Sequence, residues 1–265
     1  MGTRPIGVFD SGVGGLSVLK ALCAELPSED FVYLADSAYA PYGERDELFI
    51  LERARAITRH LLAQHHIQLM VIACNTATAA AVEMLRGEFP SLPIVGVEPA
   101  IKPAVTRSHT KHIGVMATRA TLNSAKFRAL LASLVDQATF ICQPCDGLAD
   151  AIERQDESKI IALCALYTRA MGQFGTQTGD IDTVVLGCTH YPFAREVLVK
   201  LLGPEIHLLD NGHPVARQTH RLISSKVSPP PHGRLCLQTT GHSATLQRAA
   251  QQWLGLHHQV ETVLI

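Results

Sequence analysis

The feature that most constrains the fold is an alternation, kept up over almost the whole chain, of short β-branched runs with longer amphipathic stretches. Ile6-Gly7-Val8-Phe9, Phe31-Val32-Tyr33-Leu34, Leu69-Met70-Val71-Ile72 and Ile94-Val95-Gly96-Val97 read as buried strands. So do Ile113-Gly114-Val115-Met116, Thr183-Val184-Val185-Leu186 and Ile206-His207-Leu208-Leu209. Continuous apolar runs of this length suit parallel strands covered on both faces. Between them, Leu16 to Leu26, Glu47 to Gln64, Ala77 to Glu88, Asn123 to Ser133 and Lys159 to Phe174 are helix-like. The expected class is α/β with mostly parallel sheets. In such sheets functional residues gather at the carboxyl ends of the strands.

The pattern also repeats loosely. Ile6-Gly7-Val8 with the Asp10-Ser11 turn resembles Ile113-Gly114-Val115 with Ala117-Thr118. Val71-Ile72-Ala73-Cys74-Asn75-Thr76 resembles Val185-Leu186-Gly187-Cys188-Thr189-His190. The repeat implies two similar lobes, each ending one strand in a cysteine. The expected boundaries are 1–97 with 210–265 for the first lobe and 98–209 for the second. Val227 to Gly233, with three consecutive prolines, reads as a loop, and a last helix starts near Ser243.

Composition removes several function classes. With 265 residues, 47% hydrophobic and 18% charged, the chain can bury a sizeable core and is no disordered segment. A formal net charge of −1 and the lack of a basic run give no nucleic-acid face. Apolar runs stop well short of the ~18 residues a membrane helix needs, and Met1 to Phe9 has no secretory pattern. Seven scattered cysteines, an odd number, argue against a disulfide framework, so reduced thiols and a cytoplasmic setting are expected.

Cys74 and Cys188 are the candidates to carry chemistry. Each closes a strand and precedes polar residues, where helix N-terminal amides favour a thiolate. Either alone reads equally well as a small buried core residue. Two in matched places suggest groups facing one another across a cleft. His190, two residues past Cys188, can orient or protonate groups beside it. Cys142-x-x-Cys145 has zinc or redox spacing but no second pair, and is expected to be structural. Asp10-Ser11-Gly12-Val13-Gly14-Gly15 lets the backbone approach a carboxylate or phosphate at a helix N-terminus. A dinucleotide loop is the rival, with Asp36 as the ribose acid. However, Ser17 stands at the third glycine position and Asp10 would face a pyrophosphate. Pro41-Tyr42-Gly43 forms a turn on the same rim. Thr118 and Thr121 can offer hydroxyls to a carboxylate, although Thr121 can equally cap the next helix. Glu153, taken alone, reads as a solvated charge.

These segments closely resemble bacterial glutamate racemases of the aspartate/glutamate racemase superfamily. The resemblance rests on Phe9 to Ser17, Pro41-Tyr42-Gly43, Ala73 to Thr78, Gly96 to Ala100, Ile113 to Thr121 and Gly187-Cys188-Thr189-His190-Tyr191-Pro192, in that order. It implies two α/β lobes related by a pseudo-twofold, the ligand in the cleft between them, and a C-terminal segment that returns to the first lobe. It further implies interconversion of L- and D-glutamate without pyridoxal phosphate, flavin or metal, in support of peptidoglycan and cell shape, by a homodimer. Cys74 and Cys188 are implied as the catalytic pair, with Asp10 acting near Cys74 and His190 near Cys188. Ser11, Pro41, Tyr42, Gly43, Asn75, Thr76, Thr118, Thr121, Glu153 and Thr189 are implied as substrate-binding positions. Some Gram-negative members carry an N-terminal extension and respond to a cell-wall nucleotide precursor. With the first strand at Ile6, that regulation is not expected here. The alternatives are a racemase for aspartate or another amino acid, and a non-catalytic amino-acid-binding protein.

Overall fold

A computed structural model describes residues 4–223 and 232–265. The loop expected over Val227 to Gly233 lies outside them, apart from its last two residues. In chain order the described elements begin β1 (Ile6–Asp10), α1 (Leu16–Glu25), β2 (Phe31–Ala35), α2 (Glu47–His65), β3 (Leu69–Ile72), α3 (Asn75–Glu88) and β4 (Ile94–Gly96). They continue with α4 (Ile101–Arg107), β5 (His112–Ala117), α5 (Arg119–Asn123), α6 (Ala125–Ala132), β6 (Thr139–Pro144), α7 (Leu148–Glu153) and α8 (Glu157–Met171). The last are β7 (Thr183–Leu186), α9 (Arg195–Leu202), β8 (His207–Leu209), α10 (Gly212–Leu222), β9 (Leu235–Thr239), α11 (Ser243–Leu254) and β10 (Val260–Thr262).

The chain divides into two compact units, Met1–Val97 with Gly212–Ile265, and Glu98–Asn211. The first holds a six-stranded sheet in the order β10-β9-β2-β1-β3-β4, the second a four-stranded sheet in the order β6-β5-β7-β8. Every pairing in both is parallel. The fold is therefore α/β with parallel sheets, as the alternating runs imply. Strand order β2-β1-β3-β4 in one unit has the same pattern as β6-β5-β7-β8 in the other. Cys74 and Cys188 each follow the third strand of their unit, next to its central strand.

Local chemistry explains the elements that frame these positions. Every residue of β1, β2, β3 and β7 is buried, so no polar alternation survives in them. One face of the first sheet packs Phe9, Leu34, Met70 and Ile72 against Ile50, Ile57 and Leu61 of α2 and Ala77, Ala81 and Leu85 of α3. Asp46 caps α2 by accepting from the Phe49 amide at 2.8 Å, a contact worth about 1 kcal/mol. In the second unit Ile113, Val115 and Val185 pack with Ile101, Ala104 and Phe127. Asp182 fixes the start of β7. It accepts from Ser108 Oγ at 2.6 Å, Thr183 Oγ1 at 2.9 Å and the amides of His109 and Thr110 at 2.7 and 3.0 Å. Burial opposes the Asp182 carboxylate, but these donors outweigh it and push its pKa down to about 2. No helix among the described residues is long and apolar enough to cross a membrane.

Candidate active site

In the first unit the predicted residues collect at the carboxyl ends of β1, β2 and β3. Asp10 is the last residue of β1 and fully buried. Its Oδ1 accepts from the Gly12 amide at 2.9 Å and from Ser11 Oγ at 3.4 Å. Gly15 is required by this packing: a Cβ there would lie 2.5 Å from the Asp10 Cβ and 2.8 Å from the Tyr33 hydroxyl. Tyr33 in turn donates to the Gly12 carbonyl at 2.6 Å, which pins the glycine loop over the sheet.

Cys74 is the N-cap of α3, and its sulfur accepts from the Ala77 amide at 3.4 Å. The sulfur thus sits at the positive end of a fourteen-residue helix with an amide aimed at it, an arrangement that favours a thiolate. Its thiol also reaches Ser11 Oγ at 3.7 Å, so Ser11 stands between Asp10 and Cys74. Asn75 and Thr76, both buried, open α3, and Asn75 Nδ2 donates to the Val97 carbonyl at 3.4 Å. Thr78 ties β3 to the strand beside it, donating to the Ile72 carbonyl at 3.2 Å and accepting from the Val97 amide at 2.9 Å.

The segment after β2 contains two 3₁₀ turns, Ser37–Tyr39 and Tyr42–Glu44, with a cis Ala40–Pro41 bond between them. Tyr42 is 1% exposed, and its hydroxyl donates to Asp36 Oδ2 at 2.5 Å. Burial and that carboxylate raise the phenol far above its ordinary range, so it stays a donor. Asp36 also takes Arg53 in a bidentate fork, Nε to Oδ2 at 2.9 Å and Nη2 to Oδ1 at 2.8 Å, and Thr240 Oγ1 at 2.9 Å. With both oxygens engaged, Asp36 has no role as a ribose acid. The dinucleotide alternative loses its second feature.

In the second unit Thr118 follows β5 and caps α5, accepting from the Thr121 amide at 3.2 Å and donating to Thr121 Oγ1 at 2.9 Å. The cap is thus Thr118, while Thr121 is buried inside the short helix. After β7, Cys188 is 7% exposed, with its sulfur 3.7 Å from His190 Nδ1. His190 Nε2 lies 2.7 Å from Glu153 Oε2, at the end of α7. Glu153 is thus no solvated charge; it completes a Cys188–His190–Glu153 line. Burial acts against a charged His190, yet Cys188 on one nitrogen and Glu153 on the other raise its pKa well above the usual value. Thr189 is buried between them in sequence. Gly187 permits the close approach behind the thiol, since a Cβ would meet the Ala117 Cβ and the Met116 carbonyl at 3.0 Å.

Cys142 and Cys145 do not form a site. Cys142 is exposed on β6 and Cys145 is buried behind Tyr191, whose hydroxyl donates to the Cys145 carbonyl at 3.3 Å. Among the described residues no group of three or more His, Cys, Asp or Glu side chains is arranged to hold a metal. Sequence reasoning missed Arg53 and Thr240, which sit on a helix and after a strand with no local motif around them.

The sequence profile described as Asp/Glu/Hydantoin racemase matches residues 10–218, a span that contains both thiols and every partner just described except Thr240. The chain belongs to that family. Among its members, it is similar to a glutamate racemase of Ectopseudomonas mendocina, 48% identical over 222 residues that cover 83% of this chain and 82% of the relative. In structure it is similar to a glutamate racemase isoform of Bacillus anthracis, with a TM-score of 0.85 and 28% identity over 99% of this chain and 98% of the other. It is also similar to the glutamate racemase of Escherichia coli in complex with L-glutamate and the activator UDP-MurNAc-ala, with a TM-score of 0.84 and 29% identity over 99% and 100%.

Proposed function

We propose that this racemase-family chain interconverts L- and D-glutamate without a cofactor, using Cys74 and Cys188 on opposite faces of the α-carbon. The observation that carries the reading is the matched placement of two buried thiols, each after the third strand of its unit and each with its own polar partners. The substrate is carried over from the relatives, which are glutamate racemases. One thiol begins as thiolate and takes the α-proton, leaving the electron pair on the substrate as a carbanion conjugated with its carboxylate. The other gives its S–H proton to the opposite face and becomes the thiolate. The two have then exchanged protonation states, which readies the enzyme for the other enantiomer.

The partners divide the work. The Ala77 amide and Ser11 hold the Cys74 sulfur, and Asp10 orients Ser11. His190, kept cationic by Glu153, faces the Cys188 sulfur and favours its anionic form during transfer. Backbone amides of the turns after β1 and β3, with Asn75, Thr76, Thr118, Thr121 and Thr189, hold the substrate carboxylates and spread the developing charge. The turn Pro41-Tyr42-Gly43 contributes through its backbone, because the Tyr42 hydroxyl is committed to Asp36. The product serves peptidoglycan synthesis in the cytoplasm, and the working form is a homodimer; both rest on the family resemblance.

The test is L-glutamate in heavy water with no added cofactor, followed by NMR and chiral chromatography. D-glutamate carrying deuterium at the α-carbon is expected, with aspartate turned over far more slowly alongside. Cys74→Ser and Cys188→Ser each abolish turnover. Near-normal racemisation in either variant overturns the two-thiol scheme.

A further inference from the structure

The Asp36 cluster is the most heavily bonded charged group near Cys74 that the mechanism does not use. Asp36 is fully buried, and its fork with Arg53 is completed by Tyr42 and Thr240. Arg53 itself is held twice more: its guanidinium lies 3.8 Å above the Tyr39 ring, and its Nη1 donates to the Ile265 main-chain oxygen at 2.8 Å. Tyr42 and Cys74 share one buried cluster, and the Tyr42 turn packs on α3, the helix that Cys74 caps. A buried carboxylate with this many donors has one rigid position, and it passes that position to the one donor that reaches the thiol's surroundings.

We infer that Asp36, locked by Arg53, is a positioning residue that acts through the Tyr42 hydroxyl to set the 41–43 turn against Cys74. The inference rests on the racemase reading of Cys74. It makes the first unit's thiol, and not the second's, dependent on a charge pair that touches neither substrate nor sulfur. The device parallels Glu153 behind His190: each thiol has a carboxylate one residue removed from it, fully buried in the case of Asp36 and partly buried in that of Glu153.

Tyr42→Phe is the sparing test, since it removes one oxygen and keeps the ring; Asp36→Asn and Arg53→Met are the stronger ones. A small displacement of a reacting group costs about ten- to a hundredfold in rate, so kcat falls by that factor while KM stays within about threefold. Because the enantiomers have equal free energy, kcat/KM must fall equally in both directions, and a one-sided defect is visible only in isotope effects. If the step at Cys74 is slowed, the α-deuterium effect rises for the enantiomer that Cys74 deprotonates. It falls for the other, whose α-deuteron moves in the step at Cys188. Ser108→Ala, which loosens the Asp182 cluster of the second unit, changes neither. Alkylation by iodoacetamide, followed peptide by peptide, is run in parallel: the rate at Cys74 shifts by at least threefold in the Asp36, Tyr42 and Arg53 variants, and the rate at Cys188 does not.

A split of the isotope effects together with the Cys74-specific change in alkylation supports the positioning role. Equal changes in the isotope effects of the two enantiomers, or unaltered alkylation at Cys74, overturn it. If the wild-type protein does not racemise glutamate while the variants still show the Cys74-specific change in alkylation, the racemase reading is overturned and the positioning role stands.

Discussion

Replacing Glu153 by glutamine isolates the charge behind His190. The amide keeps the shape of the side chain and an oxygen that can accept from Nε2, now 2.7 Å from the carboxylate. What is lost is charge assistance. A hydrogen bond to a charged group is worth about 1.5–3 kcal/mol against about 0.5–1.5 for a neutral one, so the change removes about 1–2 kcal/mol. If that energy is realised in the transition state, kcat/KM drops about five- to thirtyfold. The pH dependence carries the sharper signature. Glu153 raises the His190 pKa, against the burial that opposes it; removing the charge lowers that pKa. The imidazolium is then lost at lower pH, so the basic limb of the kcat/KM profile moves toward acid. Stability has the same sign: the ion pair stabilises the fold fully below the unfolded histidine's pKa, and that contribution disappears as pH rises through the raised folded value. The assays are initial rates from pH 6 to 10 and the ¹³C or ¹⁵N titration of His190. A variant whose rate falls while both the basic limb and the His190 titration stay in place would refute the account, because the carboxylate would then be acting by shape alone.

Asp182→Asn should destabilise the protein at pH 7 by about 1–2 kcal/mol, a value discounted for solvent screening, measured by urea unfolding. The Asp182 pKa is lowered, so its contribution is present above about pH 4 and lost as pH falls toward about 2; a penalty that persists unchanged at pH 2.5 would contradict the linkage. Gly15→Ala forces a methyl against Asp10 and Tyr33 and should cost about 1–3 kcal/mol of overpacking and more than tenfold in turnover; a fully active variant would show that the Asp10 loop has room. Under native conditions a thiol reagent should modify exposed Cys142 well before Cys23 and Cys164, whose pKa values burial pushes up to about 11. Early labelling of buried Cys164 would indicate local opening of α8.

The central strands were legible because both faces of β1, β3, β5 and β7 are covered, which leaves an unbroken apolar run in the sequence. Strands β6, β9 and β10 were not. β6, Thr139–Pro144, is half exposed along its length and ends in a proline, and β9, Leu235–Thr239, carries a buried Gln238 in place of an apolar residue. Strand β10, Val260–Thr262, exposes Glu261 and Thr262, so nothing in its three residues distinguishes it from a loop. Asn123 to Ser133 reads as one helix, but Ser124 breaks it: its hydroxyl caps α6 by accepting from the Phe127 amide at 3.2 Å. At the site, residues adjacent to a glycine turn or strand end could be found locally. The Glu153–His190 and Asp36–Arg53 contacts join residues 37 and 17 positions apart, and only the packed fold brings them together.

The discontinuity of the first unit has a consequence for how the chain is made. Everything the second unit needs lies between Glu98 and Asn211, so it can complete its sheet while the ribosome is still synthesising Gly212–Ile265. The first unit cannot. Its β2 edge stays uncovered until Leu235–Thr239 emerges to pair with it, and the Phe31 amide waits for the Arg234 carbonyl. Asp36 likewise lacks Thr240 until then, and Arg53 lacks Ile265. The nascent protein therefore carries a finished Cys188 neighbourhood while the Cys74 neighbourhood is still unfinished, and the emergence of Leu235–Thr239 and the residues after it sets when the first unit is complete.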